Sequence, residues 1–157
     1  MSSLWVSLHL IGFTAWIGGL LSVLASGAAA RREEPALLGV VARAHAGIYR
    51  TLVGPGAMAT VVSGMILTLQ LYGEATSVGL SHALMTMQGL GLIAGLIALI
   101  VSVPTASRVA RLEPVGPSGP LFAQLSRRLR TADLLTLALA LIALVAGTMG
   151  QPTTPVP

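Results

Sequence analysis

The sequence predicts an all-α integral membrane bundle of four helices, and three observations lead to that fold class. Hydrophobic residues make up 54% of the 157-residue chain. Charged residues make up only 9%, whereas soluble domains carry about 25%. The apolar residues form four long segments, and all nine arginines lie between them, in 31–50 and 108–130. Because a helix needs about 20 apolar residues to cross the hydrocarbon core, we expect a single transmembrane domain spanning 1–157.

The four predicted spans cover about 4–29, 51–72, 83–106 and 134–150. The first lacks the basic leading region of a signal peptide, so it is predicted to be a retained helix. The fourth is short, and Asp133 is expected near its start, where an acidic side chain favours a helix N-terminus. No acidic residue is then expected inside the membrane, which argues against proton-driven transport by this chain alone.

The segment 31–50 is predicted to form an amphipathic helix on the cytoplasmic membrane surface. Its apolar residues recur at three- and four-residue steps, and Pro35 suits the first turn of a helix. The recurring residues are Leu37, Leu38, Val41, Ala44 and Ile48.

The arginines also predict the orientation of the chain. Loops rich in arginine remain in the cytoplasm, so both basic loops are expected there and both termini outside, in the periplasm of a bacterium with the chain in its inner membrane. The arginines flank apolar spans and do not alternate with aromatic residues, which argues for the lipid bilayer and against nucleic acid as a partner. The absence of cysteine excludes disulfides, thiolate metal sites and covalently attached heme.

Few polar side chains lie in the spans, and His9 is the main candidate for chemistry, since an ionisable residue inside a membrane marks a candidate functional site. Trp16 follows seven residues later on the same helix face, and Gly12 between them leaves room for a flat ring. Gln88 in the third span lies at a matching depth. A histidine or glutamine hydrogen-bonded between helices is the structural alternative for both residues.

Three further polar features carry weaker hypotheses. Arg50 lies at the inner end of the second span, where it binds either lipid phosphate or an anionic group such as a propionate. His82, Met85 and Met87 at the outer end of the third span form with His9 a set of imidazole and thioether donors that would suit copper(I). Methionine as a filler of apolar helices is the alternative for that set.

The segment from His9 through Trp16 to Leu20 resembles the opening helix of the HemJ-type membrane proteins and of the related copper-resistance D domain. The segment 49–64, with Arg50, Pro55 followed by Gly-Ala-Met, and then Gly64, resembles the second helix of the HemJ type. The segment 84–92 resembles the region that carries the family's lysine, which here is Gln88. The resemblance covers nearly the whole chain, although each motif is short.

The resemblance implies a four-helix protein that binds heme b or a porphyrin, with His9 as the iron ligand and with Gln88, Trp16 and Arg50 around the cofactor. It also implies activity like that of a protoporphyrinogen oxidase. The loss of the lysine at Gln88 leaves the family's ligand pair incomplete, so whether the chain is an enzyme stays open. The alternatives are a non-catalytic subunit of a larger respiratory or photosynthetic complex, and copper handling. Besides the bilayer, the expected partners are other membrane subunits or further copies of the chain.

Overall fold

In the computed structural model the backbone is described for residues 2–32, 34–74 and 82–149, and side chains for 3–32, 34–70 and 82–148. Throughout these ranges the regular structure is helical. Its α-helices are α1 (Ser2–Ala30), α2 (Leu38–Ile48), α3 (Gly54–Glu74), α4 (His82–Ile97), α5 (Val103–Val109) and α6 (Gly119–Met149). Short 3-10 turns at Pro35–Leu37 and Gly116–Ser118 precede α2 and α6.

Four helical segments are long and apolar enough to cross a membrane, which confirms a multi-pass membrane protein. They are Ser3–Ala30, Pro35–Gln70, His82–Val109 and Gly116–Thr148. Large apolar side chains point outward along them: Ile11, Leu69 and Ile100 are 67–68% exposed. In a bilayer these side chains face lipid, where their exposure costs no hydrophobic free energy.

A π-helical turn joins α2 to α3, at Tyr49–Val53, and another joins α4 to α5, at Ala98–Ser102. A proline, Pro55 or Pro104, follows each turn. Proline has no N–H, and its ring clashes with the carbonyl four residues earlier. A wider turn relieves that clash: the amide of Gly54, for example, bonds the carbonyl of Tyr49, five residues back. Both prolines therefore lie within continuous helices instead of ending them.

The helix that contains the fourth span is longer than its apolar stretch. It begins at Gly119, and Pro120 occupies the first turn, where proline is well tolerated. The arginines that follow lower the hydropathy of this part without interrupting the helix. The prediction that Asp133 lies near a helix start is therefore wrong, because Asp133 lies well inside α6 and is 1% exposed.

The segment 31–50 is helical from Leu38, as its apolar periodicity predicts. Its continuation through the π-helical turn into α3 was not predicted from the sequence. Helix α2 packs on α1 and α5. Its apolar residues Leu38, Val41 and Ile48 are partly buried, whereas Ala44 is exposed. Gly39 is buried against Pro114 of the α5–α6 turn.

The bundle consists of two tightly packed helix pairs, α1 with α3 and α4 with α6. In the first pair the backbones touch: a Cβ on Gly56 would lie 2.7 Å from the carbonyl oxygen of Gly12 and 2.7 Å from the amide of Trp16. Trp16, Leu20 and Tyr49 are 0–1% exposed and form the centre of the core. The arginine-bearing end of the bundle comprises the end of α1, the start of α2, the end of α5 and the start of α6.

Candidate functional sites

His9 lies between α1 and α3, towards the end of the bundle opposite the arginines. Its Nδ1 is 2.9 Å from the carbonyl oxygen of Thr60 and 3.2 Å from Oγ of Ser63. Gly64 makes this approach possible, because a Cβ there would lie 3.1 Å from Cε1 of His9. His9 is therefore hydrogen-bonded between two helices, which is the structural alternative that the sequence left open.

The same hydrogen bond fixes the tautomer of the His9 ring. A carbonyl oxygen only accepts, so Nδ1 carries the proton and donates it, and Nε2 keeps a lone pair. The side chains that the structure describes provide no partner for Nε2. Metal-bound histidines commonly have this arrangement, with the other ring nitrogen donating to a carbonyl. In this half-buried ring Nδ1 is thus hydrogen-bonded, and Nε2 is available as a metal ligand.

The other residues of the predicted cofactor site lie apart from His9. The amide of Gln88 on α4 donates to Oγ1 of Thr68 on α3, about one helical turn beyond Gly64, against which His9 packs. Trp16 is about 10 Å farther along α1, and it is 1% exposed. Arg50 is exposed and lies about 15 Å along the helix from Thr60, so it reaches only a ligand that extends along α3.

The space beside Gly12 is filled by protein. A Cβ at this position would lie 2.9 Å from Cβ of Ala59 and 3.0 Å from the carbonyl oxygen of Gly56. The expectation that Gly12 leaves room for a flat ring is therefore wrong for the α1–α3 interface, since α3 itself occupies the gap. A planar ligand at His9 has to approach from the side of the imidazole that faces away from α3.

The proposed copper donors point to different helices. Met87 packs on α6, where a Cβ on Gly147 would lie 2.5 Å from its Sδ, whereas His9 packs on α3. His82 and Met85 are exposed at the start of α4. Across the described part of the chain no three His, Cys, Asp or Glu side chains group as a metal site. The copper hypothesis stays a prediction.

A second polar cluster, which sequence reasoning missed, lies nearer the arginine-bearing end. The hydroxyl of Tyr49 donates to Oδ2 of Asp133, and both side chains are buried. Ser102 lies beside Asp133. Tyr49 begins the first π-helical turn and Ser102 ends the second, and such turns occur frequently at functional sites. The signal in the sequence was Asp133 itself, a single carboxylate at the border of an apolar run.

Several atoms of this cluster are buried without a hydrogen-bond partner in the described structure. They are Oγ of Ser102, Oδ1 of Asp133 and Oγ1 of Thr136; Nε1 of Trp16, in the core, shares this property. A buried polar atom without a partner costs about 1–3 kcal/mol. Ser102 and Asp133 lie side by side, so a small rotation of the serine hydroxyl would pair two of these atoms.

A cavity of about 230 Å³ opens next to this cluster, at the arginine-bearing end. It lies between α1, α2, α5 and α6, and Asp133 belongs to its lining. His45 on its wall is 2.8 Å from Oγ of Ser26, which ties α2 to α1. The cavity and His9 are at opposite ends of α1, so the structure contains two separate candidate sites.

The chain matches no protein-family model, no curated protein and no solved structure. The fold and the two candidate sites therefore stand on the residues and their geometry alone.

Proposed function

We propose that this protein is a multi-pass membrane protein that binds heme b, with His9 as an iron ligand. The supporting observation is the hydrogen bond from Nδ1 of His9 to the carbonyl oxygen of Thr60. It leaves Nε2 with a lone pair that can bind iron. The ring is half-buried in an apolar bundle, as suits the ligand of an apolar cofactor. The resemblance to the HemJ-type proteins falls on this same histidine.

The residues around His9 fit heme in part. Gln88 is a poor iron ligand, and its amide is already bonded to Thr68. Heme would therefore lie against the side of His9 that faces away from α3, with His9 as the one ligand from this set. When bound, heme would supply electron transfer, and protoporphyrinogen is the first substrate to test.

The orientation in the membrane is part of the same proposal. The arginine-bearing end faces the cytoplasm, and the end near His9 faces the outside, in a bacterial inner membrane. Because the chain has no cysteine, a single substitution gives an unambiguous label. Val115→Cys, at an exposed position of the α5–α6 turn, should react with a membrane-impermeant thiol reagent only in inverted vesicles. Labelling of intact cells would reverse the orientation.

The heme proposal is tested by the visible spectrum of the gently solubilised protein, with heme quantified per chain. We expect a Soret band that is lost in His9→Ala and restored when imidazole is added to His9→Gly. His45→Ala is the matched control, since His45 is also half-buried and bonded to a neighbouring helix but lies at the other end. A band unchanged in His9→Ala would refute the assignment of the ligand.

A subunit role in a larger membrane complex is the second candidate, and one observation favours it. Gly18 on α1 and Gly89 on α4 are exposed with no atom within 4 Å of a Cβ placed there. Small residues on an outer face let another transmembrane helix approach closely. Co-purification with a large complex, lost in Gly18→Leu and Gly89→Leu, is the expected result, and a chain found only as a free monomer would contradict it.

A further inference from the structure

Asp133 is a carboxyl group in the interior of a helix that is apolar enough to cross the membrane. The sequence predicted no acidic residue inside the membrane, whereas the structure places Asp133 well within the candidate span Gly116–Thr148. Its side chain is 1% exposed. Among the described acidic side chains, Glu34 and Glu113 are exposed. An ionisable residue in the interior of a membrane protein is rare, and it commonly binds or transfers an ion or a proton.

No positive charge neutralises Asp133 in the described part of the chain. All nine arginines are exposed, and the chain has no lysine. Arg130 precedes Asp133 by about one turn of α6, but it forms no ion pair with it. His45 of α2 bonds Ser26 of α1 instead. An ionised Asp133 would be a buried charge without a counter-charge, and a group in that position becomes neutral instead. The remaining charged groups around it are Arg31 and Arg127, beside the cavity, and Arg108 at the end of α5.

The neighbours of Asp133 account for one proton on its carboxyl group. Tyr49 donates its hydroxyl to Oδ2, which therefore acts as an acceptor. Ser102 lies beside the carboxyl group, and its Oγ and Oδ1 of Asp133 have no partner elsewhere in the described structure. A protonated carboxyl group has one O–H donor. With that proton on Oδ1, Asp133 donates to Oγ of Ser102 and accepts from Tyr49, so each of these polar atoms is satisfied.

The ionised alternative leaves the carboxyl group with too few donors. A carboxylate offers about four acceptor sites, whereas Tyr49 and Ser102 provide two hydroxyl donors at most. The helix dipole does not add to them, because it acts within the first turn and α6 begins at Gly119, several turns earlier. The neutral acid therefore fits these surroundings better than the charged form.

The same three side chains join the two helix pairs of the bundle. Tyr49 lies on the helix that continues into α3, whereas Ser102 lies on the helix that begins with α4, and Asp133 lies on α6. Each pair packs more closely within itself than against the other pair. Tyr49 and Ser102 also lie in the two π-helical turns. A proton on Asp133 is therefore located where the two pairs meet.

We propose that Asp133 is a proton-binding site in the membrane interior, which donates its proton to Ser102 and accepts a hydrogen bond from Tyr49. The bound proton holds the two helix pairs together at this point. Its release leaves a charge between the pairs that two hydroxyl groups do not compensate. The site requires no heme and lies at the opposite end of the bundle from His9, so this proposal and the proposed function can fail separately.

The protonation of Asp133 can be measured without any substitution, because Asp133 is the only aspartate in the chain. The full-length protein is produced by cell-free synthesis with aspartate that carries carbon-13 in its side-chain carboxyl group, and its infrared spectrum is recorded in lipid nanodiscs. An exposed aspartate ionises near pH 4. At about pH 7 we nevertheless expect the label to shift the C=O band of a protonated carboxylic acid, and this band to move in heavy water. A label that shifts only the bands of an ionised carboxylate would overturn the proposal.

Substitutions of the two neighbours test how the proton is held. Tyr49→Phe should move the labelled C=O band to higher frequency, because a carbonyl bond is weaker when its oxygen accepts a hydrogen bond. Ser102→Ala removes the acceptor of the proton and should move the band as well. Thr51→Val is the matched control, since the exposed Thr51 hydroxyl bonds the carbonyl of Gly47 in its own helix, and it should leave the band unchanged. A band that moves in neither Tyr49→Phe nor Ser102→Ala would overturn the proposed hydrogen bonds.

The pH dependence of unfolding tests whether the proton holds the helix pairs together. The folded protein keeps the proton, whereas Asp133 in the unfolded chain is ionised at neutral pH, so folding takes up a proton. The unfolding equilibrium constant in mixed micelles should therefore rise with pH, by about tenfold per pH unit from this group. Asp133→Asn is the matched variant: its amide accepts from Tyr49 and donates to Ser102 but does not titrate, so it should fold and lack this contribution. The same pH dependence in both proteins would overturn the proposal.

Discussion

Removing the hydroxyl of Tyr49 tests the buried cluster most directly. In Tyr49→Phe, Asp133 loses the hydrogen bond from the tyrosine hydroxyl, and the Ser102 hydroxyl remains beside its carboxyl. The two side chains are 0% and 1% exposed, so water does not replace the bond. We expect a loss of about 2 kcal/mol, within the range for a buried polar group left unpaired. This is more than the average of about 0.6 kcal/mol for interhelical hydrogen bonds in membrane proteins, because both partners are fully buried here.

The free energy of unfolding is measured by reversible titration with dodecyl sulfate in mixed micelles, followed by far-ultraviolet circular dichroism. A loss of about 2 kcal/mol corresponds to about thirtyfold in the unfolding equilibrium constant. Thr51→Val is the matched control, since it removes a hydroxyl in the same π-helical turn. The Thr51 hydroxyl is exposed and bonds the carbonyl of Gly47 in its own helix, so its loss should cost less than about 0.5 kcal/mol.

A double-mutant cycle separates the hydrogen bond from other effects of each substitution. Asp133→Leu leaves the hydroxyl of Tyr49 buried without an acceptor, and adding Tyr49→Phe in that background should be neutral or stabilising. The coupling energy is then expected to exceed about 1 kcal/mol. Additive losses, with a coupling below about 0.5 kcal/mol, would refute the reasoning, because they would mean that the two groups do not depend on each other.

Three further substitutions and one control test the packing of α1, α3 and α4 by the same unfolding titration. Gly56→Ala places a Cβ 2.7 Å from the backbone of α1 and should cost about 1–3 kcal/mol through overpacking; an unchanged midpoint would contradict the close approach. Gly64→Ala should displace the ring of His9, which its Cβ would meet at 3.1 Å, and cost about 1 kcal/mol. Gly89→Ala, where no atom lies within 4 Å, is the control for both and should stay within about 0.5 kcal/mol. Gln88→Leu breaks its side-chain bond to α3 and should cost about 0.6 kcal/mol; a loss several times larger would indicate a further role for this amide.

The sequence predicted the candidate residue His9 but not its surroundings. A lone histidine in an apolar span is visible without a structure, and so is its spacing to Trp16. Which side of each ring is covered depends on how α1 meets α3, and no periodicity gives that. Gly12 therefore suggested free space, whereas the tertiary structure fills that space with Gly56 and Ala59.

The cluster around Asp133 was missed for a different reason. Hydropathy marks where a span is apolar, and the arginines at 127–130 lower it at the start of α6, so the span seemed to begin after Asp133. Helix formation follows local propensity and capping instead, and α6 begins at Gly119. Asp133 therefore lies in the interior, where it accepts a hydrogen bond from Tyr49, which precedes Pro55 on its helix. The role of that proline in widening the helix was also invisible before α2 and α3 were seen to be continuous.

The sequence by itself determined that the protein is a four-span helical membrane protein. That follows from transfer free energies, which sum over a segment and need no knowledge of its neighbours. Only the tertiary structure decided which helices pair, that Tyr49 meets Asp133, and that a cavity opens between α1, α2, α5 and α6. Those features arise from side chains far apart in the chain, and the π-helical turns and close glycine contacts that bring them together depend on packing between helices.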